Sequence, residues 1–322
     1  MSQVPLMESS EADLAATPAA GDGLRRPARR LVGRRGESWV PYVLVAPVAL
    51  FILLLAIGPA LFTVVEAFFR VNALDPPTRF DGLGNFRRLL DDPAVRTSIS
   101  NTAIYVVVGT LGSTLLGIAA AVVLQRPFRG RSLVIAVLIL PWALPGVVEG
   151  ILWTGIFDPN AGLVNGLAQT THLGSGDAVL LGQDRIQTIA LIELVQVWQI
   201  MPLSALLVLA GLQIIPGELY EAAQIDGCGS WGAFRRITLP LIRPAVAVAM
   251  VQAVIATLNV FDQPYVLNGA SRTASSVMMQ TYFVSFQDLD FGEGYALSLL
   301  VTVVTLLVSL AVVAGIYRKV EL

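Results

Sequence analysis

The chain has 322 residues, of which 55% are hydrophobic and 14% charged, and its mean hydropathy is +0.71. So few charges cannot cover a water-soluble globule, so the composition points to a polytopic membrane protein. A formal net charge of −2 gives no argument for nucleic acid as a partner, because the arginines are accounted for by membrane topology.

Residues 1–36 are rich in Ala, Gly, Ser and Glu without an apolar period, which predicts a disordered head before a membrane domain over 37–322. A hydrocarbon core of about 30 Å takes roughly 20 helical residues to cross. Apolar runs of that length occur about six times, near 43–69, 98–124, 132–157, 186–212, 244–267 and 293–317, so the expected fold class is all-α. The first run is too long for a signal-peptide core and reads as a retained span. Pro47, Pro59, Pro141 and Pro145 predict kinks or interruptions in the first and third spans.

Basic residues set the orientation. With a cytoplasmic N-terminus, the inside segments hold Arg25, Arg26, Arg29, Arg30, Arg34, Arg35, Arg126, Arg129, Arg131, Arg235, Arg236, Arg243, Arg318 and Lys319. The outside loops hold Arg70, Arg79, Arg87, Arg88, Arg96, Arg185 and Arg272, which favours this orientation about two to one. Both termini and the segment near 213–243 are then expected in the cytoplasm.

An ionised side chain at mid-helix costs roughly 2.5–3.5 kcal/mol on insertion scales, so polar residues in the spans should face protein or water. Glu66 has Arg70 four residues on as a helical partner. Glu149 and Glu193 have no such neighbour. Glu193 and Gln196 share a face in the fourth span, with Gln199 nearby, and Gln252, Asn259 and Gln263 do the same in the fifth. These two stripes are the candidate cavity lining, against the alternative of interhelical hydrogen bonding. Trp142, Trp153, Trp198 and Tyr265 offer aromatic faces for sugar C–H surfaces, although tryptophan also serves the interface. Gly109, Ser113 and Gly117, and Tyr295, Ser298, Thr302, Thr305 and Ser309, read as packing seams. Lys and Arg are absent from the apolar cores, which suits a neutral solute better than an anion.

Between the fourth and fifth spans, Pro216 suits a first helical turn, Glu218 and Glu221 lie near the positive end of the dipole, and Gly227 and Gly229 are stops. A short helix over about 217–226 follows, with Ser230 as cap of a second piece running through Arg235 and with Pro240 and Pro244 turning the chain back. The small residues Ala222, Ala223 and Gly227 suit close docking of another protein.

Several chemistries lack their residues. The single Cys228 and the single His172 fall on opposite sides of the expected membrane, so neither a disulfide nor a thiolate metal site nor a nucleophilic pair can form. The one lysine, Lys319, lies outside any Gly-x-x-x-x-Gly-Lys phosphate loop. An intramembrane hydrolase would need more than Glu149 and Glu193.

The spacing Glu221, Ala222, Ala223, Asp226, Gly227, then Ile237, Leu239 and Pro240, resembles the EAA loop of membrane subunits of binding-protein-dependent ABC importers. Further stretches are similar to the maltose-transport-type carbohydrate-uptake permeases: Gly82 to Phe86, Asp92 and Pro93, Asn101 and Thr102, Leu140 to Pro145, Trp153, Phe157 to Asn165, and Phe261, Asp262 and Tyr265 to Leu267. The resemblance implies a type I importer transmembrane domain whose coupling helix transmits ATPase closure to the spans. It implies a second homologous permease, an ATPase dimer carrying ATP and Mg²⁺, and an extracytoplasmic binding protein or lipoprotein, all at a bacterial inner membrane. This chain would bind no cofactor and catalyse no reaction. It would pass a neutral mono- or oligosaccharide or polyol by alternating access, the alternatives being a glycerol-phosphate-type solute or a secondary carrier. Glu221 would meet a basic group of the ATPase and Asp226 would hold the turn. Candidate pathway residues are Glu149, Trp153, Glu193, Gln196, Gln252, Asn259, Asp262, Gln263 and Tyr265. Cys228 stands where the family usually has alanine, and Asn268 to Arg272 depart from the family's glycine-rich turn.

Overall fold

A computed structural model describes residues 39–158, 160–171, 184–269 and 271–317. The head expected to be disordered, His172, Arg318 and Lys319 lie outside the described residues. Among the described residues five helical stretches are long and apolar enough to cross a membrane: Pro41–Glu66, Pro93–Gln125, Arg185–Gln213, Arg243–Leu267 and Phe291–Ile316. A bent pair, Arg131–Ala143 and Gly146–Ile156, supplies the third of the six expected spans, its halves inclined by 100°.

The chain divides into two compact units, Met1–Ile52 and Leu53–Leu322. In the first, helix α1 (Val40–Ile52) contains Pro47, and its apolar side chains from Tyr42 to Ile52 are exposed. In the second, a π-helical turn at Leu53–Ile57 runs directly into α2 (Gly58–Glu66), with Pro59 just after that turn. Because α2 stops at Glu66, Arg70 is not one helical turn beyond it. Arg70 lies in β1 (Phe69–Arg70), paired antiparallel with β2 (Arg79–Phe80), and its guanidinium meets Asp75 at 3.2 Å.

Helix α3 (Gly84–Asp91) leads to α4 (Pro93–Ile104), whose N-terminus is capped by the Asp92 carboxylate accepting from Ala94 N–H at 2.8 Å. A π-helical turn at Tyr105–Gly109 joins α4 to α5 (Thr110–Gln125), completing the second span. Then come α6 (Arg131–Ala143), α7 (Gly146–Ile156), α8 (Leu163–Thr171) and α9 (Arg185–Gln213), the last capped by Asp184. The inter-span segment holds α10 (Gly217–Ile225), α11 (Ser230–Ala233) and α12 (Leu239–Leu241). Helices α13 (Arg243–Leu258) and α14 (Asp262–Leu267) make up the fifth span, followed by α15 (Val277–Tyr282) and α16 (Phe291–Tyr317).

The expected glycine seam holds the centre of this unit. A Cβ on Gly117 would come within 2.7 Å of Ser204 Cβ on α9, and one on Gly109 within 2.6 Å of Thr257 Cγ2 on α13. Only glycine lets these three helices approach so closely, which is how membrane helices gain dispersion contacts where lipid supplies no hydrophobic drive.

One end of the bundle is tied by side-chain hydrogen bonds to backbone. Asn101 Nδ2 donates to the carbonyls of Ser275 and Thr273 at 2.9 and 3.1 Å, and its oxygen accepts from Arg185 Nε at 2.8 Å. Thr102 Oγ1 accepts from Val277 N–H, and the Tyr105 hydroxyl donates to the Ala274 carbonyl, both at 2.8 Å. These bonds fix the α14–α15 loop against α4, and they give a physical reason for the Asn101–Thr102 pair singled out by resemblance. At the opposite end, Gln125, Arg126 and Pro127 share one groove with Tyr220, Gln224 and Cys228. The 126–131 loop and the 213–243 segment therefore lie on the same face of the bundle.

Candidate functional site: a coupling helix and a polar cavity

The spacing predicts a helix over about 217–226, and α10 spans Gly217–Ile225. Pro216 sits one position before it, as N-cap, with β-region backbone. Its end is a Schellman motif: Cys228 N–H bonds the Ala223 carbonyl at 2.8 Å, Gly227 N–H bonds the Gln224 carbonyl at 3.0 Å, and Gly227 has φ +74°. Asp226 is the C-cap, its N–H bonded to Ala222 O at 3.0 Å. The second helix begins one residue earlier than expected for a Ser230 cap, because Gly229 occupies the N-cap and gives no side-chain bond.

Glu221 and Ala222 are exposed, whereas Ala223 is buried, so Ala223 packs within this chain and Ala222 faces outward. The hydroxyls of Tyr220 and Thr238 lie 2.9 Å apart and tie α10 to the returning piece that carries Ile237, Leu239 and Pro240. Two apolar side chains here escaped the motif: Ile225 is 86% exposed and Trp231 73%, the latter stacked on Phe234. Their signal was present in the sequence, as large apolar residues in a segment otherwise polar and small. An exposed apolar patch of this kind is expected where another protein docks.

The second assembly lies inside the bundle where two spans are broken. The third span turns by 100° just before α7, and the fifth is interrupted between α13 and α14. Pro264 accounts for the second break, since it cannot donate to Val260 O, four residues back. That carbonyl instead accepts from Ser276 Oγ at 2.5 Å. Non-helical backbone at membrane depth is tolerated only against protein or a wet cavity, and here a cavity of about 190 Å³ adjoins the break, with Gln196, Gln199, Asn259, Phe261, Asp262 and Gln263 in its lining.

Gln263 links three elements around this cavity. Its Nε2 donates to Gln199 Oε1 at 2.9 Å and to Glu149 Oε2 at 3.1 Å. Asp262 packs on the first turn of α7, so closely that a Cβ on Gly146 would fall 2.3 Å from its Oδ2. The positive end of α7 faces that carboxylate, a favourable placement. Asn259 Nδ2 donates to the Ile255 carbonyl at 2.8 Å, which satisfies the end of α13.

Of the candidate pathway residues, Gln196, Asn259, Asp262 and Gln263 thus share one cavity, with Glu149 joined through Gln263. The others do not line that cavity. Glu193 is 4% exposed, neither of its oxygens meets a donor among the described residues, and its Oε2 would lie 3.2 Å from a Cβ on Gly109. Gln252 lines a different, apolar cavity two turns earlier along α13, and the break after Asn259 sets Gln263 on a separate helix. Trp153 packs edge-on against Trp198 and tilted on Phe157 beside a buried apolar cluster. Tyr265 stacks on Phe261 at 5.2 Å. Asp158, in the stretch after α7, accepts from the N–H groups of Ala161 and Asn160, which hold its carboxyl below the usual carboxylate range.

Residues 113–321 match the family model described as binding-protein-dependent transport system inner membrane component. The chain is 32% identical to the sulfoquinovosyl glycerol transport system permease protein SmoG of Agrobacterium fabrum, with 84% of this chain and 90% of that protein covered. It is also 32% identical to the trehalose/maltose transport system permease protein MalF of Thermococcus litoralis, covering 84% and 91% respectively, and 31% identical to the diacetylchitobiose uptake system permease protein NgcF of Streptomyces coelicolor, covering 90% and 84%. A crystal structure of a bacterial ABC transporter involved in the import of the acidic polysaccharide alginate has a chain of like fold, with a TM-score of 0.75 at 22% identity over 88% of this chain and 96% of that one. The fold is that of an ABC importer transmembrane domain, and the chain belongs to the binding-protein-dependent transport system inner membrane components, the multi-pass permease subunits of ABC importers.

Proposed function

We propose that this permease passes a neutral sugar or sugar glycoside inward through the cavity beside the α13–α14 break. The observation that carries the reading is the cavity's lining of amide and carboxylate side chains, with no Arg or Lys among its described residues. Such groups exchange hydrogen bonds with hydroxyls, and a buried anion would need a cation that this lining does not offer. A glycerol-phosphate-type solute fits less well for that reason. The relatives named for trehalose/maltose and diacetylchitobiose support the sugar class. A secondary carrier would have no use for the Glu221 loop.

ATP and Mg²⁺ belong to a separate ATPase dimer that receives α10, with Glu221 against a basic group and Ile225 and Trp231 as apolar anchors. A binding protein delivers solute at the face carrying the α14–α15 loop, and a second, homologous permease completes the pathway. Basic residues favour placing α10 and both termini in the cytoplasm. Uptake by the complete importer in proteoliposomes, measured with labelled maltose, trehalose, glucose and glycerol 3-phosphate, tests the substrate class. Uptake of glycerol 3-phosphate alone would refute it.

A further inference from the structure

Ion pairs among the described residues gather at one end of the bundle. Arg70 and Arg79 meet Asp75, Arg88 meets Asp81 and Glu293, and Arg272, in the α14–α15 loop, meets Asp288. At the other end Arg126, Arg129, Arg235 and Arg236 are exposed, and none of them meets a carboxylate among the described residues. Membrane topology accounts for the presence of arginine here, but it does not say what each arginine faces.

Arg126 faces a groove of about 410 Å³ between the end of α5 and the α10 segment. Val122, Gln125, Tyr220, Gln224 and Ser230 line it as well, and the lining contains no Asp or Glu. The Tyr220 hydroxyl is already taken up by Thr238. That leaves the amides of Gln125 and Gln224 and the Ser230 hydroxyl as donors beside the guanidinium, a set that suits phosphate oxygens.

The depth of the groove narrows the choice of anion. Gln125 is the last residue of the apolar stretch Pro93–Gln125, so the groove opens where hydrocarbon gives way to headgroups. Val123, Phe128 and Leu133, close to Arg126 in the chain, are exposed apolar side chains. A cationic pocket beside exposed apolar residues at this level fits an amphiphile, with phosphate in the groove and acyl chains along α5 and α6. The side of α10 assigned to the ATPase is a different one. Tyr220 and Gln224 face the groove, whereas Glu221 and Ile225, next to them in the chain, are turned about 100° around the helix.

We infer that this groove binds the phosphate headgroup of an anionic phospholipid, with Arg126 as its cation. One wall of the groove is the end of the second span and the other is α10, so a bound headgroup braces the coupling helix against the bundle. Coupling of ATP hydrolysis to uptake then depends on anionic lipid.

The test uses the full chain purified with its companion subunits in mild detergent, titrated with dioleoyl phosphatidylglycerol or dioleoyl phosphatidylcholine while native mass spectrometry counts bound lipid. The titration needs no sugar, so it stands whichever solute is carried. Arg126→Gln is expected to weaken binding of the first phosphatidylglycerol roughly fivefold, equivalent to about 1 kcal/mol. Arg126→Lys keeps the charge and should stay within about twofold. Arg87→Gln, at an exposed arginine just before the second span, should change nothing. Equal affinity of Arg126→Gln and Arg87→Gln for phosphatidylglycerol would overturn the site, as would phosphatidylcholine bound as tightly as phosphatidylglycerol. Displacement of the lipid by inorganic phosphate at the same concentration would overturn it in favour of a free anion. Loss of the ATPase from Arg126→Gln with lipid binding unchanged would overturn it in favour of a subunit interface. In proteoliposomes, exchanging phosphatidylglycerol for phosphatidylcholine should lower uptake per ATP hydrolysed in the unmutated importer but not in Arg126→Gln, and an equal fall in both would remove the bracing role.

Discussion

Replacing Gly227 by alanine isolates the conformation that ends the α10 helix. Gly227 has φ +74° and a Cβ built there would meet nothing within 4 Å, so the substitution adds backbone strain without a clash. For an L-residue the left-handed conformation costs about 1–2 kcal/mol, which lowers the population of the intact Schellman turn by roughly 5–30-fold. The strain falls where Gly227 and Cys228 donate to the Gln224 and Ala223 carbonyls. Gly227→Ala should therefore uncouple ATP hydrolysis from uptake, while the chain remains inserted and the complex assembled. Gly227→Val should abolish uptake, and Gly227→Asn should fall between wild type and alanine because asparagine tolerates this conformation better. Gly229→Ala is the internal control: its φ of −68° suits any residue and its Cβ would also point into open space. The assay is substrate-stimulated ATPase activity and uptake in proteoliposomes for the two alanine variants side by side. Equal behaviour of Gly227→Ala and Gly229→Ala would refute the reasoning.

Glu221→Lys should abolish uptake while leaving the protein inserted, measured as transport against membrane-fraction abundance; normal transport would sink the coupling role. Gln263→Leu removes the donor shared by Glu149 and Gln199, leaving buried acceptors unpaired at a cost of about 1–3 kcal/mol, so both uptake and thermal stability in detergent should fall. Asn259→Leu should weaken transport more than assembly with the ATPase, and equal transport would make Asn259 structural. Tyr105→Phe loses the bond to Ala274 O, and since such bonds average about 0.6 kcal/mol in membranes, the melting temperature should drop slightly with uptake nearly unchanged.

The α10 helix was legible almost to the residue because its limits are local: Pro216 before it and Gly227 after it impose backbone conformations whatever surrounds them. The spans were legible from length and apolarity, and the break in the third from Pro141 and Pro145. The break in the fifth was missed although Pro264 marks it, since proline four residues on frees the Val260 carbonyl and only a distant residue, Ser276, satisfies it. Asn259 and Gln263 meet at one cavity across that break, whereas Gln252, two turns earlier on α13, lines another, so spacing along a single helix did not identify the lining. Glu66 and Arg70 show the same limit: four-residue spacing implies pairing only while the helix lasts, and α2 ends at Glu66. A cavity that Phe261 shares with Tyr282 and Phe291 was out of reach, because these residues come from segments that only the tertiary fold brings together.

The central claim is that this chain is one subunit of an ATP-driven importer, and its most direct test is to purify the tagged chain from its native membrane in mild detergent and weigh its stoichiometric companions by mass spectrometry. The account predicts a second permease and an ATPase in a one-to-one-to-two ratio. Recovery of the chain alone, or as a homo-oligomer, under conditions that preserve known importers would contradict it.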